Sequence, residues 1–287
     1  MSAAAEKLGG ELEKILLKRI SGGRLTLPAM VAANQCLELL RDTEFKTPKL
    51  VEKLETEPML ALRVLADANS AVFGGGTSIN SLDMAITRIG AQRLKTLLIE
   101  HSAEEVFRST DRRFAEATTK VWEHSIAVAI LARDIASVIS SPEPDSCYLA
   151  GLLHDIGKPV IAATLLDIDR NTRTPQKWLD LTIWQSVIET HHRTVGVAVA
   201  MEWKLPRDVI DAIRDSSDYD ATNRGSTANI VRLANAVAER EGFVTQPVDL
   251  ADVDAMIMVG TSMLGADNAL LGRLSTTLRQ RFPGRTQ

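Results

Sequence analysis

The sequence predicts an all-α protein. Aromatic residues make up only 4% of the 287 residues, so the core must be built mainly from Leu, Ile, Val, Ala and Met. Such a core favours helices packed on helices over sheets built from aromatic and β-branched pairs. Segments that alternate between apolar and polar residues are almost absent, whereas helix start and stop signals recur along the chain.

In the first half of the chain, proline and glycine mark the predicted helix ends. Pro58 is placed to open a helix, and Gly90 is placed to end a later one. The glycines at 74–76 could in principle cradle a phosphate, but no Lys-Ser/Thr pair follows them and no strand precedes them. A P-loop is therefore not favoured, and a mobile loop between helices is the better interpretation.

The second half contains two very apolar helices. Residues 121–139 are apolar on nearly every side, as expected for a helix at the centre of a bundle. The next apolar helix leads into His154-Asp155, and Gly157 is expected to end it. Further helices are predicted at 178–191, 195–203, 206–215, 226–239, 253–264 and 268–278.

Composition and charge narrow the class of protein. The formal net charge of -4 gives no global attraction to nucleic acid or to an anionic membrane. Cys36 and Cys147 lie far apart in apolar surroundings, so they are expected to be buried free thiols. We find no apolar run of membrane-spanning length and no apolar signal core near Met1. A soluble, cytoplasmic protein is expected.

The most distinctive chemical feature is a set of polar residues in apolar helices. The pair His154-Asp155 ends one apolar helix, and His124 projects from the other. Because unpaired polar groups are costly to bury, these side chains should bind one another or a metal ion. A buried structural polar cluster is favoured over a non-catalytic metal or ligand pocket, and that pocket over a catalytic metal site.

Several ordered motifs in this chain resemble known ones. The stretches at 122–125 and 151–158 resemble the first two motifs of HD-superfamily phosphohydrolases. The stretches at 57–73 and 85–90 resemble signatures of the HDOD family, the HD-related output domains of bacterial signalling, and the stretch at 192–206 resembles a later motif of that family.

The resemblance covers about residues 25–238 and implies a two-lobed helical bundle with an HD-like core in the C-terminal lobe. The expected organisation is an N-terminal helical extension over 1–24, an HDOD helical lobe over 25–109, and an HD-like lobe with C-terminal helices over 110–287.

The departures from the HD pattern concern the metal ligands. The resemblance implies a closing Asp in a late helix, but Asn235 stands at the matching position. An amide is a weaker ligand for a hard cation than a carboxylate. Related cyclic-di-GMP phosphodiesterases carry a His pair and a Gly-Tyr-Pro loop, but the matching region, about 213–220, has neither. A two-metal site is therefore not expected.

These features lead to a set of functional expectations. The candidate metal or ligand pocket consists of the following residues: His124, His154, Asp155, His192 and Asn235. Lys158 is a candidate anion contact, although a charge near the negative end of a helix is the favoured interpretation. No catalytic residue is assigned and no cofactor is expected, while a divalent metal stays an open alternative.

The expected role is a non-catalytic bacterial regulatory module that binds a signalling protein or a ligand. A nucleotide or cyclic dinucleotide is a candidate ligand, whereas membrane is excluded and nucleic acid is not favoured. The alternative is a metal-dependent phosphohydrolase acting on a nucleotide or cyclic dinucleotide.

Overall fold

The computed structural model describes most of the chain between residues 47 and 283. The described residues are 11, 14–16, 18, 35–40, 47–70, 72–73, 78–109, 111–139, 143–171, 181–215 and 218–283. Within these ranges the structure contains helices and no strand, as the sequence predicted. The predicted glycine loop at 74–76 and most of the predicted extension at 1–24 lie outside the described residues.

The helices are numbered in chain order for residues from 47 onward. They are α1 (Thr47–Glu55), α2 (Pro58–Ala68), α3 (Leu82–Phe107), α4 (Ala115–Val138), α5 (Pro144–Leu153), α6 (Gly157–Asn171), α7 (Leu181–Glu202), α8 (Arg207–Asp215), α9 (Thr227–Arg240), α10 (Leu250–Leu264) and α11 (Asn268–Arg281). Residues 35–39 are also helical.

The chain divides into two compact units. Residues 26–106 form one unit, and residues 107–287 form the other together with the first 25 residues. In the smaller unit, Pro58 opens α2 as predicted. Asn69 at the end of α2 donates to the Leu65 and Ile79 carbonyls over 3.0 and 2.7 Å. Asn69 Oδ1 also accepts the Ile79 amide at 2.8 Å, so this side chain closes a helix-terminal turn.

A glycine interrupts the longest helix of the smaller unit. The backbone of α3 leaves helical geometry at Gly90, where φ is 76° and ψ is 164°. This left-handed φ suits glycine because it has no Cβ. The predicted helix end at Gly90 is therefore a break between two helical stretches.

In the larger unit, α4 is the central helix. It packs against α5, α6, α9 and α11, while α7 packs on α6 and α8. Half of its 24 residues are buried, which matches the all-round apolar pattern of its sequence. Burial of the Cys147 thiol in α5 agrees with the prediction of a free, buried cysteine, and so does burial of Cys36.

One expectation about the helices was wrong. The helices predicted at 178–191 and 195–203 form one continuous helix, since α7 runs from Leu181 to Glu202. Gly196 lies within this helix, at a close contact with α8. A Cβ at this position would lie only 3.0 Å from Ile213 Cγ2, so glycine allows the two helices to approach.

The segment Pro144–Arg170 has the length and composition of a membrane span, contrary to the expectation from sequence. However, 89% of its apolar window is buried inside the protein, as in the core helix of a soluble protein.

Candidate functional site

Three segments of the larger unit bring the predicted polar residues together. His124 lies in the middle of α4, His154 and Asp155 lie in the turn between α5 and α6, and Asn235 lies on α9. His124 Nε2 is 3.2 Å from His154 Nε2 and 3.0 Å from Asn235 Oδ1. His124, His154 and Asp155 are all buried. We call the following residues the His–Asp cluster: His124, His154, Asp155, Asn235 and His192, the last of which lies on α7.

Backbone carbonyls fix the tautomers of the histidines. His124 Nδ1 is 2.7 Å from the Phe243 carbonyl oxygen, and His154 Nδ1 is 2.7 Å from that of Gly151. His192 Nδ1 is 2.8 Å from the carbonyl oxygen of Glu189. Because a carbonyl only accepts hydrogen bonds, each Nδ1 must carry the proton. In the neutral rings, each Nε2 therefore presents a lone pair.

These lone pairs face other acceptors. The two Nε2 atoms of His124 and His154 face each other, and Asn235 Oδ1 faces His124 Nε2. Acceptors at such distances repel one another unless a cation or a proton lies between them. If the Asn235 amide were rotated by half a turn, its NH₂ group would take the place of its oxygen and would donate to His124 Nε2. The cluster is thus suited either to a cation or to this amide donation.

Asp155 provides the carboxylate of the cluster and is paired with a lysine. Lys158 Nζ donates to Asp155 Oδ2 over 2.9 Å, and it also lies 3.7 Å from Glu189 Oε1. Asp155 Oδ2 is 3.6 Å from His154 Nε2, and its Oδ1 is 3.7 Å from His192 Nε2. Lys158 is the second residue of α6, so it lies near the positive end of a helix. The favoured interpretation of Lys158 as a charge at a helix C-terminus was therefore wrong.

The protonation states follow from burial and from these partners. Burial lowers the pKa of His154 to about 4, although the Asp155 carboxylate opposes this shift. Burial likewise lowers the pKa of His192. Burial would raise the pKa of Asp155, but Lys158 and the histidines outweigh it, so the pKa falls well below its usual range. Burial opposes the charge of Lys158, yet Asp155 and Glu189 raise its pKa. At neutral pH the cluster thus combines neutral His154, ionised Asp155 and charged Lys158.

The donor set fits a divalent transition metal. The ligand atoms of His124, His154 and Asp155 all lie within 4.8 Å of one another. Imidazole nitrogen suits zinc, iron and nickel, and the unprotonated Nε2 atoms are the form in which imidazole binds metal. The carbonyl acceptors at each Nδ1 are the outer contacts that commonly orient metal-binding histidines. A metal would be held by His124, His154 and Asp155, with Asn235 as a weak neutral ligand.

Sequence reasoning missed the glycine and carbonyl contacts that build the cluster. The sequence predicted that Gly157 ends the helix that leads into His154. Instead, Gly157 begins α6. A Cβ at Gly157 would collide with the backbone carbonyl of His192, so glycine lets α6 approach α7. A Cβ at Gly151 would lie 2.8 Å from Ala129 Cα, so glycine also allows α5 to contact α4 closely. Both glycines are visible in the sequence, but the sequence does not show which helix–helix contact each of them allows.

Side-chain hydrogen bonds stabilise the region that matches the His pair and Gly-Tyr-Pro loop of the related cyclic-di-GMP phosphodiesterases. Tyr219 Oη donates to the Met256 carbonyl over 2.9 Å. Fully buried Asn229 accepts from the Asp220 amide at 2.8 Å, and its Nδ2 donates to the carbonyls of Asp220 and Asn223 at 2.9 and 3.0 Å. These side chains anchor the loop before α9 to α9 and α10.

Comparison with known proteins finds a matching family model and solved structures that share the fold. The model of the HDOD domain family matches residues 26–219. A structure from Shewanella amazonensis SB2B, provisionally named a metal-dependent phosphohydrolase, has a TM-score of 0.63 at 20% identity and covers 94% of this chain and 99% of its own. An HDOD domain protein of unknown function from Geobacter sulfurreducens has a TM-score of 0.54 at 21% identity, over 90% and 93% of the two chains.

A curated relative comes from Treponema pallidum (strain Nichols). This uncharacterized protein is 27% identical over 184 residues, which are 61% of this chain and 34% of the relative. The chain therefore spans about a third of the length of that protein. The two structures at 20% and 21% identity show the shared fold.

Proposed function

This chain belongs to the HDOD family, and we propose that it is a non-catalytic regulatory module of bacterial signal transduction. It acts by binding a signalling protein or a ligand in the cytoplasm. A nucleotide or cyclic dinucleotide is one candidate ligand. The His–Asp cluster serves this role as a structural or ligand-binding centre, and phosphoester hydrolysis is not its task.

One observation carries this proposal. Asn235 presents an amide to His124 Nε2 at 3.0 Å, where a catalytic HD site would be closed by a carboxylate. Asp155 is then the one carboxylate among the cluster residues, and Lys158 neutralises it at 2.9 Å. A metal ion that activates water for attack on a phosphoester is normally held by enough ligand charge to fix it in the site. The Asp155–Lys158 pair supplies no net charge.

The loop before α9 gives further support. Tyr219 of this loop donates to the Met256 carbonyl, and the Asp220 carbonyl of the loop accepts from Asn229. These groups therefore stabilise the fold. Residues 218–226 contain no histidine that could bind a second metal. A centre with at most one weakly held metal fits a structural or sensing role better than turnover.

A metal-dependent phosphohydrolase is the second candidate function. The observation in its favour is the convergence of two unprotonated Nε2 atoms and one carboxylate in a buried site. The provisional name of the Shewanella amazonensis relative points the same way, although the likeness at 20% identity shows only the fold. When bound, a metal of this kind would supply Lewis-acid activation of water, and His124, His154 and Asp155 would hold it.

Turnover assays separate the two candidates. Wild-type protein and Asp155→Ala are incubated with Mn²⁺, Fe²⁺, Mg²⁺ or Zn²⁺ and a panel of nucleotides and cyclic dinucleotides. The regulatory proposal predicts no multiple turnover by either protein, with saturable binding of a ligand or partner as the remaining activity. Multiple turnover by the wild type that Asp155→Ala abolishes would establish the phosphohydrolase instead.

A further inference from the structure

One side of α10 is apolar and exposed. Among the described helices, the close packing of α10 is with α9. Most of its 15 residues are apolar, yet only Val253 and Gly260 are buried. Met258 is 68% exposed and Val259 is 43% exposed. Because a helix this apolar is normally covered on most sides, its exposed side is a candidate surface for a partner.

The exposed residues form a stripe along α10. We call the following residues the α10 stripe: Ala251, Ala255, Met258, Val259 and Ser262. Successive members are one, three or four positions apart, which places them on the same side of a helix. The alanines and the serine are small, so another helix can approach closely. Met258 near the middle is unbranched and flexible, and such a side chain adapts to the shape of a partner.

Carboxylates border the stripe at the N-terminal end of α10. Helical geometry places Asp252 on one side of the stripe and Asp254 on the other. Asp249 caps the helix by accepting the Ala251 amide at 2.8 Å. Arg240 of α9 pairs with Asp254 at 2.7 Å. These three carboxylates outnumber the guanidinium group, and the helix dipole offsets only about half a charge, so this end is negative.

The surrounding residues do not reverse this charge. Glu241, just after α9, pairs with Arg279 of α11 at 3.6 Å, so the two cancel. The chain over residues 241–272 contains no Lys or Arg. Arg232 of α9 lies over the ring of Tyr219, which packs on the buried side of α10. The charge of the stripe therefore favours a cationic partner over an anionic membrane or a nucleic acid.

A second copy of this chain does not match the α10 stripe. Antiparallel pairing of two α10 helices would place the acidic end of one on the C-terminal end of the other, where the helix dipole is negative. Parallel pairing would place two acidic ends together. The 15 residues of α10 span about 22 Å, so a face about 10 Å wide offers about 200 Å². Since a stable interface buries about 800 Å² on each partner, one short helix fits the stripe better.

We propose that the α10 stripe binds a short amphipathic helix of a partner protein, with Lys or Arg beside its apolar residues. The apolar residues lie along Met258 and Val259, and the cations reach Asp252 and Asp254. Recognition of one helix face by a complementary surface is a common mode of peptide binding. The inference rests on the proposed function, since it names the class of partner that the regulatory module binds. The stripe lies beyond residue 219, where the match to the family model ends.

The test measures binding of a designed peptide to the full-length protein by fluorescence anisotropy. The probe is a labelled peptide of about two heptads, each Lys-Leu-Ala-Lys-Leu-Ala-Ala, because these residues favour helix. A second peptide has Glu in place of every Lys. A third has the composition of the first in an order that gives no apolar side. We expect saturable binding of the first peptide and at least about tenfold weaker binding of the other two, which lack either the charge or the apolar side.

Matched variants locate the site. Met258→Lys removes the central apolar contact and adds a charge that repels the peptide, whereas Met201→Lys makes the same change at an exposed methionine of α7. Asp252→Asn removes a carboxylate from the first turn of α10, and Asp83→Asn does so in the first turn of α3. Binding of the Lys peptide should weaken at least about tenfold in Met258→Lys and about threefold in Asp252→Asn. The two controls should change it less than about twofold.

All four positions are exposed, so the variants should keep the thermal midpoint of the wild type. Absence of saturable binding to the wild type would overturn the inference, and so would equal weakening in Met258→Lys and Met201→Lys. A wild-type dimer that Met258→Lys dissociates, seen by analytical ultracentrifugation, would assign the stripe to a second copy and overturn it as well. Each of these results leaves the proposed non-catalytic role to the turnover assays, so the two proposals fail separately.

Discussion

The Nε2 atoms of His124 and His154 lie 3.2 Å apart in the buried core of the larger unit. Both rings donate their Nδ1 protons to backbone carbonyls, so two lone pairs face each other. This relationship accounts for the dual character of the cluster. Its ligand atoms are of the kind that bind a divalent cation. However, Asn235 is an uncharged amide and Lys158 neutralises Asp155, so the cluster has less negative charge than a hydrolytic metal centre requires.

Restoring the closing carboxylate should strengthen metal binding. Asn235→Asp would place an anionic oxygen near His124 Nε2, where the amide oxygen now lies at 3.0 Å. We expect Mn²⁺ or Zn²⁺ affinity to rise by about tenfold or more, since the added charge favours a divalent ion. Isothermal titration calorimetry measures the change. Asn223→Asp, at an exposed position outside the cluster, should leave the affinity unchanged; an equal rise there would point to a general charge effect.

Removing Asp155 should destabilise the metal-free protein. Asp155→Ala leaves the nearly buried ammonium of Lys158 without its closest partner. We expect the free energy of unfolding to fall by about 3 kcal/mol, which is the lower end of the usual range for breaking a buried pair. Urea denaturation in EDTA gives this value. The control is Asp211→Ala, which breaks an exposed ion pair with Arg214 and should cost less than about 1 kcal/mol. Similar losses in the two variants would contradict the buried pairing.

Gly157→Ala should disturb the junction of α6 and α7. The added Cβ would collide with the backbone carbonyl of His192, so one of the two helices must shift. Overpacking of this kind costs about 1–3 kcal/mol of the free energy of unfolding. Gly272→Ala is the matched control, because a Cβ there meets no atom within 4 Å and lies inside α11. That change should stabilise the protein by about 0.5–1 kcal/mol, so the two variants should move thermal midpoints in opposite directions.

Stability should depend on pH through His154. Its pKa is about 4 in the folded protein and near the ordinary 6.5 when unfolded. Between these values the unfolded chain binds more protons, so folding is favoured least at the acidic end. The free energy of unfolding of the metal-free protein should therefore reach its full value, as far as His154 determines it, above pH 6.5. It should fall as the pH drops toward 4.

His192 shifts in the same direction and adds to this slope. Urea denaturation in EDTA across pH 4–7 measures it, and His154→Gln should make the slope shallower. A slope that is unchanged in this variant would contradict the burial of a neutral His154.

The helices and the polar cluster differ in how far the sequence could predict them. Local signals were sufficient for α2, α9 and α11, because a proline or a capping residue marks each start. Ser226 caps α9 by accepting the Asn229 amide, and Asp267 caps α11 in the same way with Leu270. These contacts span three residues, so they are visible in the chain itself.

The missed contacts depend on residues far apart in sequence. His124 bonds to the Phe243 carbonyl across 119 positions, and any residue type supplies a carbonyl. Gly157 was misinterpreted because a glycine after a helix commonly serves as a helix end, whereas here it accommodates His192. The convergence of His124, His154, Asp155 and Asn235 followed from the packing of two apolar helices and from the resemblance to the HD pattern. The pairing of Lys158 with Asp155 followed from neither.

The count of product molecules per protein molecule tests the central claim most directly. Wild-type protein is saturated with Mn²⁺ and given each nucleotide and cyclic dinucleotide of the panel, with Asp155→Ala as the blank. The account predicts less than one product per protein molecule, equal to the blank, for every substrate. Many products per wild-type molecule, lost in Asp155→Ala, would contradict it and assign hydrolysis to the His–Asp cluster.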